Sequence, residues 1–459
     1  VAGHADKHDA ADEQLVLGDR ARPVYAAATV AAAAGLAVAL ILGWIVDHSL
    51  RRFFFAYLTA FVFFLSISLG ALFMVLMQFL TRAAWSVSVR RIAENLAGLL
   101  PVMGILSIPL IATVAIERGT IYRWALPMSA ASPQAVAAAA RGESDEAADA
   151  LQEIVTKNGS ESAADQAMHL DSTTLQKRRW MNPGFWIARV VLYFVCWSAI
   201  ALYFRRQSLL QDENGDPALT SKMQWWSGLC VVILGATLTG AAGDFIMSLD
   251  PHWFSTMFGV YYFAGATLGF WSSLIIIVRL LQRAGYMTRS VTVEHFHDLG
   301  KYLFAFTFFW GYIAFSQFML LWYANIPEEV EWFNRHGATT VSSHINVWSW
   351  LILAILFGQL LIPFAGLLSR HIKRDLGILL FWAFWVLTVH YLDTYWMVMP
   401  EYFVTGGKHV TVLSLVVDLA ALAGIGGVYV AALLRSMAPH SLRPTGDPRL
   451  AECLAFHNI

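Results

Sequence analysis

The chain has 459 residues, of which 58% are apolar and 14% charged, with a mean hydropathy of +0.55. Soluble domains carry about 25% charged residues, so this composition excludes an ordinary water-soluble protein, and a net charge of −1 gives no footing for nucleic acid. Three scattered cysteines, Cys196, Cys230 and Cys453, show no CxxC or CxxCH spacing, which removes a disulfide framework, an iron–sulfur site and covalently attached c-type haem.

A polar tail, residues 1–23, precedes an apolar run near 24–46. That run is too long for the core of a signal peptide and follows no basic segment, so it is predicted to be a retained membrane helix. About 20 mainly apolar residues suffice to cross a bilayer as a helix. Further runs of that kind lie near 53–80, 95–116, 185–204, 224–248, 258–280, 299–325, 345–368, 376–399 and 410–434. None alternates with period two, which argues against a β-barrel. The expected fold is an all-α integral membrane protein of about ten transmembrane helices. Its segments are the N-tail 1–23, spans one to three over 24–116, an extramembrane insertion over 117–183, spans four to ten over 184–435, and a C-tail over 436–459. Within the insertion, SPQAVAAAARGESDEAADALQEIV reads as an Ala-rich helix and NGSESAADQ as a turn. Both tails are short, polar and expected to be partly ordered against partners or loose.

Lysine and arginine orient the spans. One side collects nineteen of them: Lys7, Arg20, Arg22, Arg82, Arg90, Arg91, Arg205, Arg206, Lys222, Arg279, Arg283, Arg289, Lys301, Arg370, Lys373, Arg374, Arg435, Arg443 and Arg449. The short loops of the other side hold only Arg51, Arg52, Arg335 and Lys408. Both termini are therefore expected in the cytoplasm of a bacterium, with the insertion periplasmic. The turn SLDPHWFSTM (248–257), which has no basic residue, falls on the periplasmic side.

Ionisable residues inside a bilayer are costly and face protein or water, so they are the candidates for chemistry. Toward the periplasmic side stand Asp244, Asp250, His252, Gln317 with Tyr312, His344 with Asn346, and Asp418. In TVHYLDTYW of the ninth span, His390 and Asp393 lie three apart, hence on one helical face. A carboxylate and an imidazole so placed can pass a proton, and Asp244 with His252 is a second such pair. These residues are candidates for a proton path or a quinone head-group site. At the cytoplasmic side, Glu94 and Asn95 begin the third span, and EHFHDLGK (294–301) brings His297, Asp298 and Lys301 to the start of the seventh. This group is a candidate for proton uptake. Only His390 of 14 histidines lies well inside a span, which disfavours axial ligation of haem b. No mid-span lysine offers a retinal Schiff base, no phosphate-binding glycine motif appears, and no metal site is expected.

Four strings carry a resemblance: MSLDPHWFSTMFGVYYFAGA (247–266), FHDLGKYLFAFTFFWGYIAFSQFMLLWYANIPEEVEWF (296–333), FGQLLIPFAGLLSR (357–370) and, more weakly, WMNPGFWIARVVLYFVCW (180–197). Over about 24–435 the chain resembles the ActF-like membrane subunits of bacterial alternative complex III, within the NrfD/polysulfide-reductase membrane-anchor superfamily. The 117–183 insertion is longer than that family implies. The resemblance implies two four-helix bundles, helices two to five and six to nine, flanked by two peripheral helices. It also implies an inner-membrane subunit, non-catalytic alone, of a complex that oxidises quinol and reduces cytochrome c or a terminal oxidase. The implied partners are a sister NrfD-like subunit, a periplasmic iron–sulfur subunit, c-type cytochrome subunits and a haem-copper oxidase. Haem and iron–sulfur clusters would then reside in those partners, with menaquinone or ubiquinone as the one small molecule for this chain. On that reading the acidic, aromatic turn is a docking platform for the iron–sulfur subunit. The alternative from another class is a stand-alone proton-coupled secondary transporter, which ten helices and buried acids also permit. Transporters show interrupted helices at corresponding positions of their two halves; here Pro101 and Pro109 interrupt the third span and Pro363 the eighth.

Overall fold

Polar punctuation between the apolar runs fixes where each helix starts and stops. A computed structural model describes residues 13–116, 120–125, 177, 179–338, 346–406 and 410–457. Ten helices in it are long and apolar enough to cross a membrane: α1 Arg22–Val46, α2 Arg51–Thr81, α3 Val87–Ala115, α4 Pro183–Asn214, α5 Pro217–Phe245, α6 Phe258–Arg283, α7 Val293–Ala324, α8 Val347–Leu367, α9 Leu376–Gly406 and α10 Val412–Met437. No strand occurs among the described residues. The protein is an all-α, multi-pass membrane protein.

Several helices outrun their apolar stretches. The sequence NPGF starts α4 at Asn182, whose side chain accepts from the Gly184 amide at 2.9 Å, with Pro183 in the first turn. Gly215, at φ +65°, ends α4, and Asp216 at once caps α5 through the Ala218 amide. Hydropathy reports only the lipid-crossing part of such a hairpin, so polar turns at its end escape it. Likewise α3 begins at Val87, eight residues before the apolar run, and is broken into Val87–Ala97, Leu100–Leu106 and Ile108–Ala115. In α8 a π-helical stretch, Leu356–Leu361, precedes Pro363, whose ring and missing N–H disturb the turn before it.

Helices α2 to α5 close one ring of neighbours, and α6 to α9 close a second. The rings join mainly where α2 lies against α6 and α9. Two four-helix bundles therefore stand side by side, as expected, and α2, buried almost all round, is their shared axis. The peripheral pair α1 and α10 is held by small residues: a Cβ on Gly35 would stand 2.5 Å from the Gly424 backbone nitrogen. In lipid, where apolar burial between helices gains little, such close backbone approach supplies the packing.

The described parts of both tails lie on one face of the bundles, termed the tail face; the opposite end is the far face. These described parts are tied to the bundles rather than loose. The Glu13 carboxylate accepts from the Arg289 and Ser290 amides and from Arg443, and the Leu442 amide donates to Leu15 O at 2.8 Å. The C-terminal segment is tied in by Arg90 to Asp447 at 2.6 Å. On the far face a short helix, Pro327–Arg335, lies across the end of the second bundle and is termed the cap helix. Residues 126–176, which include the expected Ala-rich helix and turn, lie outside the described residues, as does His344.

Candidate functional site

The middle of the second bundle holds a buried carboxylate with two aromatic donors. Asp393, on α9, accepts from the Tyr261 hydroxyl of α6 at 2.5 Å and from the Trp310 indole N–H of α7 at 3.2 Å. Asp393 is fully buried. Three residues earlier, His390 is also fully buried, with Nε2 2.9 Å from the Ser66 hydroxyl of α2. Ser66 donates to Phe63 O at 2.6 Å, which assigns the Nε2–H as donor to Ser66 and leaves Nδ1 as an acceptor. Nδ1 has no hydrogen-bond partner among the described residues. The imidazole fits because α6 presents two glycines to it. A Cβ on Gly265 would stand 2.9 Å from His390 Cε1 and 3.9 Å from Asp393 Oδ2, and one on Gly269 would stand 2.8 Å from His390 Cδ2. His390 and Asp393 thus face α6 together, as their spacing predicted, but each is bonded to a different helix.

Tyr261 and Trp310 have a second role. Both form part of the wall of a cavity of about 410 Å³ between α6, α7, α8 and the cap helix. Ligand pockets run from about 300 to 1,000 Å³. The wall is almost wholly aromatic and aliphatic, with Phe258, Trp332, Phe333 and Trp396 toward the far face. Leu356 and Leu360 of the π-helical stretch line the α8 side, and such stretches recur at functional sites. Gln317 supplies the polar exception: it lines the cavity, is 5% exposed, and its Oε1 has no partner among the described residues. Phe315, Leu353 and Leu356 belong both to the cavity wall and to the exposed outer surface of the bundle, so the cavity lies next to the lipid. No protein-family model matches this chain, and no curated protein matches it.

The remaining sequence candidates are distributed elsewhere. Asp244 does not meet His252. It is clamped by Arg189 of α4, at 2.6 Å and 2.8 Å, with the Tyr193 hydroxyl at 2.9 Å. Asp418 is paired with Arg52 at 2.5 Å and accepts from Tyr395 at 3.1 Å. Asp250 takes the His252 amide at 3.0 Å, has the His252 ring 3.5 Å away, and pairs with Arg335 of the cap helix. Burial acts to raise the Asp250 carboxyl, but the hydrogen bond from His252 and the Arg335 charge outweigh it and hold it at about 2. Arg335 also reaches Glu401 at 3.6 Å. Trp253 stacks on Trp332 at 4.1 Å, so both leading side chains of the expected docking platform, Asp250 and Trp253, turn inward and are buried. Phe254 remains exposed there.

On the tail face, Glu94 lies within the first stretch of α3 rather than at its start, between Arg90 and Arg91 at 3.0 Å each. Asn95 bonds Ser436 and Arg205. Asp298 pairs with Lys301 at 2.6 Å, and His297 is buried beside them. Tyr312 is exposed on the outer surface. Among the described residues no cluster of metal-ligating side chains occurs.

Sequence reasoning missed Arg52, Arg189, Tyr261 and Trp310. The arginines were findable, since a guanidinium inside an apolar run such as RRFFFAY or FWIARVV demands a buried carboxylate. The aromatics were not: 15 tyrosines and 18 tryptophans give no way to select two.

Proposed function

We propose that this chain is a membrane subunit of a quinol-oxidising respiratory assembly in a bacterial inner membrane, and that the cavity takes the quinol head group. The observation that supports the reading is the sharing of Tyr261 and Trp310 between the cavity wall and Asp393. Quinol oxidation releases protons inside an apolar site, where water cannot take them. Tyr261 can accept a head-group proton on its oxygen while passing its own to Asp393 Oδ1, and Trp310 holds Oδ2 in place. Gln317 Oε1, without a partner among the described residues, is positioned to accept from a head-group hydroxyl. His390 Nδ1, without a partner among the described residues and beside Asp393 across Gly265, is the next acceptor inward. Menaquinone and ubiquinone both fit an aromatic cavity bordering lipid. Electrons would leave to iron–sulfur and c-haem partners over the far face, which this reading makes periplasmic, with both termini cytoplasmic.

The transporter alternative has less support. The broken helices are α3, second in its bundle, and α8, third in its bundle, so they do not correspond between the halves.

The test is purification from the native membrane followed by assay of a short-chain quinol. The assembly should carry haem and oxidise the quinol. Asp393→Asn should lower turnover by about a hundredfold or more, the range of a lost general base, and Ala314→Trp should fill the cavity and abolish binding. Isolation of the chain alone, or full turnover in both variants, would overturn the reading.

A further inference from the structure

A second cavity, of about 410 Å³, lies at the tail face between the start of α1 and the end of α10. It is unrelated to the aromatic site. Its walls are Gly18, Asp19, Arg22 and Tyr25 from one side and Leu434, Arg435 and Pro439 from the other. The two sides are pinned by the Gly18 amide donating to Ala438 O at 3.0 Å, so the groove is a fixed feature of the fold. We propose that this groove binds a phosphodiester, that of an anionic phospholipid head group.

Three observations carry the proposal. Two guanidiniums flank the groove, and among the described residues no carboxylate pairs with Arg435. The one acid present, Asp19, pairs with Arg22 at 2.8 Å, but both side chains are about four-fifths exposed (82% and 78%), and such pairs are weak enough to yield to a phosphate. Depth is the second observation. The groove sits where both spans end, the level at which a head group lies, and basic pockets between helix ends suit anionic lipid. Chemistry beneath the groove is the third. Tyr25 lies one turn deeper than Arg22 and is 37% exposed, as suits an interfacial ring. Beside it stands exposed Val24 of α1, and more than a turn deeper than Arg435 stands exposed Val430 of α10, giving acyl chains an apolar surface that a free phosphate would not need.

The test uses the full-length protein in mild detergent, stripped of lipid and titrated by native mass spectrometry. The probes are short-chain phosphatidylglycerol, short-chain phosphatidylcholine and inorganic phosphate. One phosphatidylglycerol site should saturate well before any phosphatidylcholine site, and inorganic phosphate should not compete at the same concentration. Arg22→Gln with Arg435→Gln, both exposed and outside the core, should weaken that site on the order of tenfold or more. Equal affinity for the two lipids, full competition by inorganic phosphate, or an unchanged site in the double variant would each overturn the proposal.

Discussion

Tyr261 and Asp393 are joined by a 2.5 Å hydrogen bond between α6 and α9, and Tyr261 at the same time faces the aromatic cavity. This one side chain connects a fully buried carboxylate to a lipid-adjacent aromatic chamber. Tyr261→Phe keeps the ring in the wall and removes the hydroxyl. On the proposed reading, quinol turnover should fall by roughly a hundredfold while KM stays within about threefold, because the lost group handles a proton and not the ring contacts. Steady-state assay of the purified assembly checks this, and a rise in KM alone would assign Tyr261 to binding only.

The two glycines of α6 make a prediction that stands apart from function. Gly265→Ala would place a methyl group 2.9 Å from His390 Cε1, and overpacking of this kind costs about 1–3 kcal/mol. Adding His390→Ala should return part of that loss, with a coupling of roughly 0.5–3 kcal/mol. Denaturant unfolding in detergent across the four proteins of the cycle measures it. Strict additivity would mean that the imidazole does not rest on Gly265.

The Arg52–Asp418 pair should behave as a buried ion pair. Arg52→Met strands the Asp418 carboxylate and should destabilise the protein by about 3–5 kcal/mol, whereas Arg52→Met with Asp418→Leu should recover most of the loss. Unfolding midpoints of the three proteins decide the matter.

Acid sensitivity at the far face follows from His336, just after the cap helix. Its ring stacks on Trp332 at 3.7 Å and packs against Trp396. Burial lowers the imidazole to about 3, while an unfolded histidine takes a proton near pH 6.5. The unfolded state therefore binds the extra proton. Stability falls as pH drops from about 6.5 toward 3, by about 1.4 kcal/mol per pH unit for this one group. Asp250 acts in a different window: its lowered carboxyl contributes fully above about pH 4 and is lost between there and about pH 2. His336→Phe, which keeps the stack, should flatten the stability–pH slope between pH 6 and 5 by about one proton's worth. An unchanged slope would mean that His336 is not protonated on unfolding in that range.

The sequence by itself determined that this is a ten-span helical membrane protein, because the cost of unsatisfied backbone in lipid leaves long apolar runs little choice but helix. It also determined that His390 and Asp393 share a face, since that relation is local to one helix. The polar turns of α4 and α5 escaped it because lipid does not touch them. Only tertiary structure decided the partners: Asp244 with Arg189, Asp418 with Arg52, Asp393 with Tyr261 and Trp310. Each of these contacts joins residues from different helices, brought together by packing within each bundle and of α10 against α2. A buried charge announces that it needs a partner, but which one it finds depends on helix order and rotation, and those are set by side-chain packing between helices rather than by the periodicity of any one of them.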